Sequence, residues 1–201
     1  MQIEIEVKFC DIDIDDMRRR LTAVGAVCEQ PMRLMKRALI DNEELNAKHA
    51  FLRIRDEGDK TTATFKQFDS HSLTGAKESA IDVSDFDTTL AILKQFNLEP
   101  RTVQESRRET WKYKTTEVVI DEWPWIPPYI EIEGDSEAAV ESAAAELGFD
   151  WNDAEFGSVD VIYNREYPDM TVRGVIDIPS VRFGDPLPAT FLSDAGTEAT
   201  V

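Results

Sequence analysis

The first strand-like stretch of the chain combines residue types that can bind both metal ions and phosphates. Glu4, Glu6 and Lys8 alternate with apolar residues, and because successive side chains of a β-strand point to opposite faces, the three charged groups share one face. Carboxylate oxygens suit Mg²⁺ and Mn²⁺, and a lysine ammonium group suits phosphate. A single charged face usually means solvent, so a binding site requires further strands of the same kind.

At least six predicted strands carry ionised side chains at alternating positions. The basic members are Lys8, Arg37, Arg53, Arg55, Lys66 and Arg108, and the acidic members are Glu4, Glu6, Glu78, Asp82, Asp121, Glu131 and Glu133. If these faces converge inside one closed sheet, the basic groups can hold a chain of phosphates and the carboxylates can hold divalent cations. Each set favours burial of the other, because burying ions of one sign alone costs several kcal/mol per ion.

Two architectures are compatible with this alternation. In a barrel with a charged interior, the intervening apolar residues point outward and are covered by helices. In an ordinary soluble sheet the apolar faces point inward and the charged faces lie in water. Alternation alone does not separate the two.

The predicted elements include enough helices to cover a barrel. Strands are predicted at 4–9, 27–41, 51–55, 61–68, 77–83, 101–113, 117–121 and 129–133, and helices at 14–23, 86–96, 136–147 and 159–167. Residues 42–48 are predicted to form a loop, and the Gly58 region a hairpin turn. The proline-containing segment from 168 onward is predicted to be an appendage with partial strand character at 172–178.

Length and charge narrow the classes of protein. The 201 residues fit one sizeable domain, and a net charge of -18 disfavours nucleic acid and anionic membranes as partners. Two cysteines give neither a metal motif nor a disulfide framework. There is no predicted secretory or membrane-spanning segment, so the expected location is the cytoplasm.

The ordered set of charged residues resembles a known family. Glu4-x-Glu6-x-Lys8 is similar to the signature of the CYTH domain, or triphosphate tunnel metalloenzyme superfamily, and Arg53-x-Arg55, Lys66 and the later charged residues follow in the family's order. The stretch 121–134 is most similar to bacterial members labelled class IV adenylate cyclase. The resemblance covers residues 1–167 and leaves 168–201 as an appendage of unknown role. It implies an α+β fold with a closed eight-stranded antiparallel β-barrel and helices packed outside.

The resemblance also implies roles for these side chains. Phosphates would be held by Lys8, Arg53, Arg55, Lys66 and Arg108, with Arg37 as a further candidate. The principal Mg²⁺ or Mn²⁺ would be bound by Glu4, Glu131 and Glu133. A second metal, water or the basic groups would be positioned by Glu6, Glu78, Asp82 and Asp121, and we take Glu6, Asp121 and Lys8 as the catalytic candidates.

Three functions remain open at the level of sequence. The first is metal-dependent hydrolysis of a triphosphate, which is an inorganic, nucleoside or thiamine triphosphate. The second is an adenylate cyclase that converts ATP to cyclic AMP and pyrophosphate, and the third is a non-catalytic polyphosphate or nucleotide binding module. The expected partner is a small-molecule triphosphate, and the chain is expected to be a monomer or homodimer. Retention of the metal-binding carboxylates favours an enzyme.

Overall fold

A computed structural model describes residues 1–70, 72–170, 172 and 174–192. Its strands are β1 (Gln2–Phe9), β2 (Val27–Ile40), β3 (Ala50–Asp56), β4 (Thr61–Phe68), β5 (Ala76–Val83), β6 (Thr102–Tyr113), β7 (Thr116–Glu122), β8 (Tyr129–Gly134) and β9 (Ser180–Val181). Its α-helices are α1 (Ile14–Ala23), α2 (Glu43–Ala47), α3 (Phe86–Lys94), α4 (Glu137–Glu146) and α5 (Asp160–Glu166).

The first eight strands form a closed ring. They are hydrogen-bonded in the order β2-β3-β4-β5-β1-β8-β7-β6, and β6 also pairs with β2. Every pairing within the ring is antiparallel. The prediction of an eight-stranded antiparallel barrel is confirmed.

The apolar strand faces point outward and are covered by helices, as a charged interior requires. Val7, Ile130 and Ile132 are fully buried in the same core as Leu21 of α1 and Val140 of α4. Each such aliphatic side chain contributes about 1.5–3 kcal/mol by leaving water. The helices therefore supply the apolar layer that fixes the charged faces on the inside.

Side-chain caps set where these helices begin. The Asp13 carboxylate accepts from the Asp16 backbone N–H at 2.7 Å, and the Ser136 hydroxyl accepts from Ala139 at 3.3 Å. The prediction of a loop at 42–48 is wrong, because a side-chain cap also starts a helix there. The Asn42 side chain accepts from the Leu45 backbone N–H at 2.9 Å, and α2 follows. None of the helices in the described part of the chain has the length and apolar composition needed to cross a bilayer.

The segment after α5 packs against one end of the barrel. Val175, Val181 and Phe191 are buried in a second core with Trp123 and Tyr163. For the described residues of 172–178 the expected strand character is wrong, because 175–177 form a 3₁₀ turn. Among the residues that the structure describes in this segment, the only strand is β9, which pairs in parallel with β6. Residues 171, 173 and 193–201 of the predicted appendage lie outside the described residues.

Candidate functional site

The barrel encloses a cavity whose wall is dominated by ionisable side chains. The charged residues of the eight strands that line it are Glu4, Glu6, Lys8, Arg37, Arg53, Arg55, Lys66, Glu78, Arg108, Glu117, Glu131 and Glu133. The lining also includes Phe51, Phe68 and, from the C-terminal segment, Val175 and Ile176. The charged faces that the sequence predicts on separate strands therefore meet in one cavity.

Three carboxylates come together on one side of this cavity. One oxygen from each of Glu4, Glu6 and Glu133 lies within 4.8 Å of the other two. Glu6 stands directly opposite Glu133 in the β1–β8 pairing, and Glu4 is the preceding inward residue of β1. We name Glu4, Glu6 and Glu133 the carboxylate cluster. It differs from the expected metal-binding set by containing Glu6 instead of Glu131.

Glu131 is held by cations instead. It stands opposite Lys8 in the β1–β8 pairing, and its carboxylate lies 3.0 Å from the Lys8 ammonium and 3.7 Å from the Arg108 guanidinium. Burial lowers the Lys8 pKa, but attraction to Glu131 and Glu6 outweighs it and raises that pKa. Although burial raises the Glu131 pKa, Lys8 and Arg108 lower it overall. Lys8, Arg108 and Glu131 are therefore charged in the resting protein.

Positive charge is unevenly distributed around the carboxylate cluster: Lys66 lies beside Glu4 and Lys8 lies 3.1 Å from Glu6, whereas no basic group of the described residues lies within 4.0 Å of Glu133. Burial, together with Glu131, Glu4 and Glu6, raises the pKa of Glu133 to about 8. The pKa of Glu4 is also raised, mainly by burial, although Lys66 lies 2.5 Å away and opposes the rise. Oxygen ligands crowded by mutual repulsion are the environment that a hard divalent cation stabilises. Glu4, Glu6 and Glu133 thus fit the Mg²⁺ or Mn²⁺ that the sequence predicts.

The raised pKa of Glu133 predicts how stability depends on pH. The folded state binds the Glu133 proton more tightly than the unfolded state, whose carboxyl has the ordinary pKa near 4.5. This contribution to stability is therefore fully present below about pH 4.5 and is lost progressively as pH rises to about 8. In EDTA, Glu133→Gln should raise the melting temperature at pH 8.5 by more than it does at pH 6.

Differential scanning fluorimetry at both pH values measures this effect. Glu137→Gln is the matched control because Glu137 is exposed in the first turn of α4, and its melting temperatures should follow those of the unchanged protein. Equal shifts for Glu133→Gln at the two pH values would contradict the assignment of a strained, ionised Glu133 at high pH.

Two largely buried guanidinium groups, those of Arg37 and Arg53, face the cavity with few carboxylates nearby to balance their charge. Burial and the nearby Arg55 lower the pKa of Arg37 to about 10 despite an opposing effect of Tyr129, and burial with Arg55 and Arg37 lowers that of Arg53 to about 9. The Arg53 guanidinium lies 4.0 Å from Glu78, and among the described residues no carboxylate oxygen lies within 4.0 Å of the Arg37 guanidinium. This side of the cavity therefore favours an anion.

Arg37 is held in position by uncharged neighbours. Its Nε donates to Oε1 of Gln104 at 2.8 Å, and the guanidinium lies 4.1 Å from the ring centroid of Trp123. The Gln104 amide in turn donates to the Val175 carbonyl at 3.2 Å. Sequence reasoning missed Gln104 because it carries no charge that stands out from the strand pattern.

The remaining basic candidates already have carboxylate partners. Lys66 pairs with Glu4 at 2.5 Å, and Arg108 donates to both oxygens of Asp121 at 2.8 and 2.5 Å. Asp121 is buried behind Arg108 and is not among the residues that line the cavity. The structure thus places Asp121 where it orients Arg108.

Asp82, like Asp121, is a candidate ligand that does not line the cavity. It is exposed near the end of β5. β1 begins at Gln2 opposite Glu78, so among the described residues the later part of β5 has no strand partner on that side. Glu78, four residues earlier on the same face, does line the cavity.

Glu57 is a buried carboxylate that sequence reasoning did not single out. It follows β3 in the hairpin to β4, and its carboxylate lies 2.6 Å from the Arg55 guanidinium. The sequence does contain a pattern that predicts its position. Arg53, Arg55 and Glu57 occur at alternate positions, so Glu57 continues the inward face of β3. The turn residues Asp56 to Asp59 obscured that continuation.

Comparison with known structures supports the same architecture. A protein from Pyrococcus horikoshii OT3 is 20% identical with a TM-score of 0.65, covering 76% of this chain and 94% of that chain. A proposed adenylate cyclase from Vibrio parahaemolyticus is 14% identical with a TM-score of 0.68, covering 80% and 97%. A proposed adenylyl cyclase from Hippeastrum, described as having a dominant triphosphatase activity, is 14% identical with a TM-score of 0.50, covering 79% and 91%. At these identities the likeness establishes the fold.

The sequence itself gives the family. A search of curated proteins returned no match. The sequence profile of the CYTH domain matches residues 2–155, which span the whole eight-stranded ring and the carboxylate cluster. The chain therefore belongs to the CYTH domain family.

Proposed function

We propose that this protein is a divalent-metal-dependent enzyme that hydrolyses a phosphoanhydride bond of a triphosphate inside the barrel. The observation that carries the proposal is the pair of buried guanidiniums, Arg37 and Arg53, in the same cavity as the carboxylate cluster. Guanidinium groups match phosphate oxygens in shape and charge. A linear triphosphate with its metal ion supplies both missing charges at once.

The energetics favour a ligand over a purely structural role for these groups. Burying an ion without a close counter-ion costs several kcal/mol. The positive charge of Arg37 lowers the pKa of Arg53. The negative charges of the neighbouring glutamates raise the pKa of Glu133. A fold that needed only stability would pair these groups with one another, as it pairs Lys8 with Glu131.

Each group has a place in the proposed reaction. Glu4, Glu6 and Glu133 would hold the divalent ion, which when bound neutralises charge on phosphate oxygens. Arg37 and Arg53 would bind and orient the phosphate chain.

The remaining polar groups act on the reacting centre. Lys8 and Arg108 would offset the charge that develops on the transferred phosphoryl group, and Asp121 would keep Arg108 in place. Glu6 would orient the attacking water, because it lines the cavity whereas both oxygens of Asp121 are bonded to Arg108. The triphosphatase activity described for the Hippeastrum protein supports hydrolysis over cyclisation.

A product analysis tests the proposal. The purified protein is incubated separately with inorganic triphosphate, ATP and thiamine triphosphate, in Mg²⁺, in Mn²⁺ or in EDTA, and phosphate, pyrophosphate and cyclic AMP are separated. We expect metal-dependent phosphate release from at least one substrate, and little cyclic AMP. Arg53→Gln should remove most of that activity, whereas Arg19→Gln, on the exposed face of α1, should not.

Two outcomes would overturn the proposal. Cyclic AMP and pyrophosphate as the main products from ATP would indicate a cyclase. Triphosphate binding without turnover in any metal would indicate a binding module.

A further inference from the structure

Glu57 closes the row of inward-facing charged residues that begins on β3. Arg53 and Arg55 line the cavity, and Glu57 is the next residue on that face, just past the end of the strand. Its side chain is only 5% exposed. The carboxylate is therefore enclosed at the hairpin end of β3, whereas Phe51 lies at the other end of the same strand face.

Three cations converge on this one carboxylate. Arg55 donates through Nε at 2.9 Å and approaches through its terminal nitrogen at 2.6 Å. Arg33 lies 3.4 Å away, and Lys60 lies 3.9 Å away. Burial raises the Glu57 pKa, but Arg55 and Lys60 lower it overall, so the group is ionised at neutral pH.

Arg33, on β2, connects this end of the barrel to the adjacent strand β6. Its guanidinium contacts the Arg108 carbonyl at 3.4 Å and the Thr110 hydroxyl at 3.3 Å as well as Glu57. Arg33 is not among the residues that line the cavity, whereas Arg55 is. Glu57 thus stands between the last cavity-lining arginine and a further arginine behind it.

We propose that Glu57 limits the length of the phosphate chain that the cavity accepts. A phosphate chain bound along Arg53 and Arg55 meets the negative charge of Glu57 at the next position. The same carboxylate also neutralises Arg33, so Arg33 is not free to bind a further phosphate. A further phosphate would therefore be repelled where it needs a cation. The inference rests on the proposed function, since it assumes that the cavity holds a phosphate chain.

Binding of polyphosphates of different length tests the inference without any need for turnover. Inorganic triphosphate and tetraphosphate are titrated in EDTA, and dissociation constants are measured by isothermal titration calorimetry. The unchanged protein should bind the tetraphosphate no more tightly than the triphosphate. In Glu57→Gln the fourth phosphate gains Arg55 and Arg33 as partners, and the ratio of affinities should shift about tenfold toward tetraphosphate, as for one added charge-assisted hydrogen bond.

Glu109→Gln is the matched control. Glu109 is another buried carboxylate, paired with Arg18 at 2.7 Å and with Trp111, and it does not line the cavity. Its removal should leave the ratio of affinities unchanged. Glu57→Asp retains the negative charge and should also retain the preference of the unchanged protein, which separates a charge effect from altered packing.

The possible results lead to different conclusions. An unchanged ratio in a folded Glu57→Gln variant that still binds triphosphate would overturn the inference alone. Failure of the unchanged protein to bind triphosphate both in EDTA and in Mg²⁺ would overturn the proposed function. If Glu57→Gln does not fold, the unchanged protein decides, because a tenfold preference for tetraphosphate there would show that Glu57 sets no limit.

Discussion

Replacing Glu4 by Gln should reduce metal-dependent turnover by about 100–1,000-fold while the barrel remains folded. Glu4 supplies one of the three oxygens of the carboxylate cluster and lies in the cavity beside Lys66. The amide has nearly the same shape but lacks the charge that a divalent ion requires. The loss should appear in kcat at saturating Mg²⁺, and partial recovery at high Mn²⁺ would indicate weakened metal binding.

The control for Glu4→Gln also separates two assignments of the metal ligands. Asp82 matches the charged pattern in the sequence, but the structure leaves it exposed outside the cavity. Asp82→Asn should therefore keep the activity of the unchanged protein. Full activity in Glu4→Gln, or a comparable loss in Asp82→Asn, would contradict the carboxylate cluster as the metal site. Far-UV circular dichroism establishes that both variants are folded.

Replacing Asp121 by Ala should lower the free energy of unfolding by about 3–5 kcal/mol. Asp121 is 1% exposed and both of its oxygens accept from Arg108. Its removal leaves the largely buried Arg108 guanidinium with Glu131, at 3.7 Å, as the one carboxylate of the described residues within 4.0 Å. Urea unfolding followed by tryptophan fluorescence gives the change in free energy.

The neighbouring residue provides a matched control for Asp121→Ala. Glu122 pairs with Arg107 at 3.5 Å near the barrel surface, where both side chains are partly exposed. Surface ion pairs contribute about 0–1 kcal/mol, so Glu122→Ala should have a small effect. Similar losses in the two variants would show that the Asp121 pair has no special structural importance.

Much of the fold follows from alternation along the strands. Glu4, Glu6 and Lys8 predict an inward face, and Val7 predicts the outward face that α1 and α4 cover. Alternation does not tell whether the charged face of a sheet curves inward or outward, because both curvatures have the same period. The order of charged residues shared with the CYTH family resolved that ambiguity, and the β2–β6 pairing closes the ring.

Which residues belong to the site depends on the register of strand pairing, which cannot be read from the sequence. Glu131 and Glu133 are both inward residues of β8, but pairing with β1 places Glu131 opposite Lys8 and Glu133 opposite Glu6. A shift of two residues would exchange their partners without altering either strand's pattern. The prediction of Asp82 as a cavity residue fails for a related reason: β1, the strand that would enclose it, begins at Gln2, opposite Glu78.

The closed ring also determines when the site can form during folding. β1 is the first strand of the chain, yet the strand that pairs with most of it is β8, and β2 must find β6 across the intervening hairpin and helices. Contacts between residues so far apart in sequence form slowly, because a long loop must close before they give any stabilisation. Glu4 and Glu6 therefore meet Glu133 only when β8 has paired with β1, more than 120 positions along the chain. The carboxylate cluster is thus complete only in the closed ring, and no fragment that lacks either end of the barrel contains it.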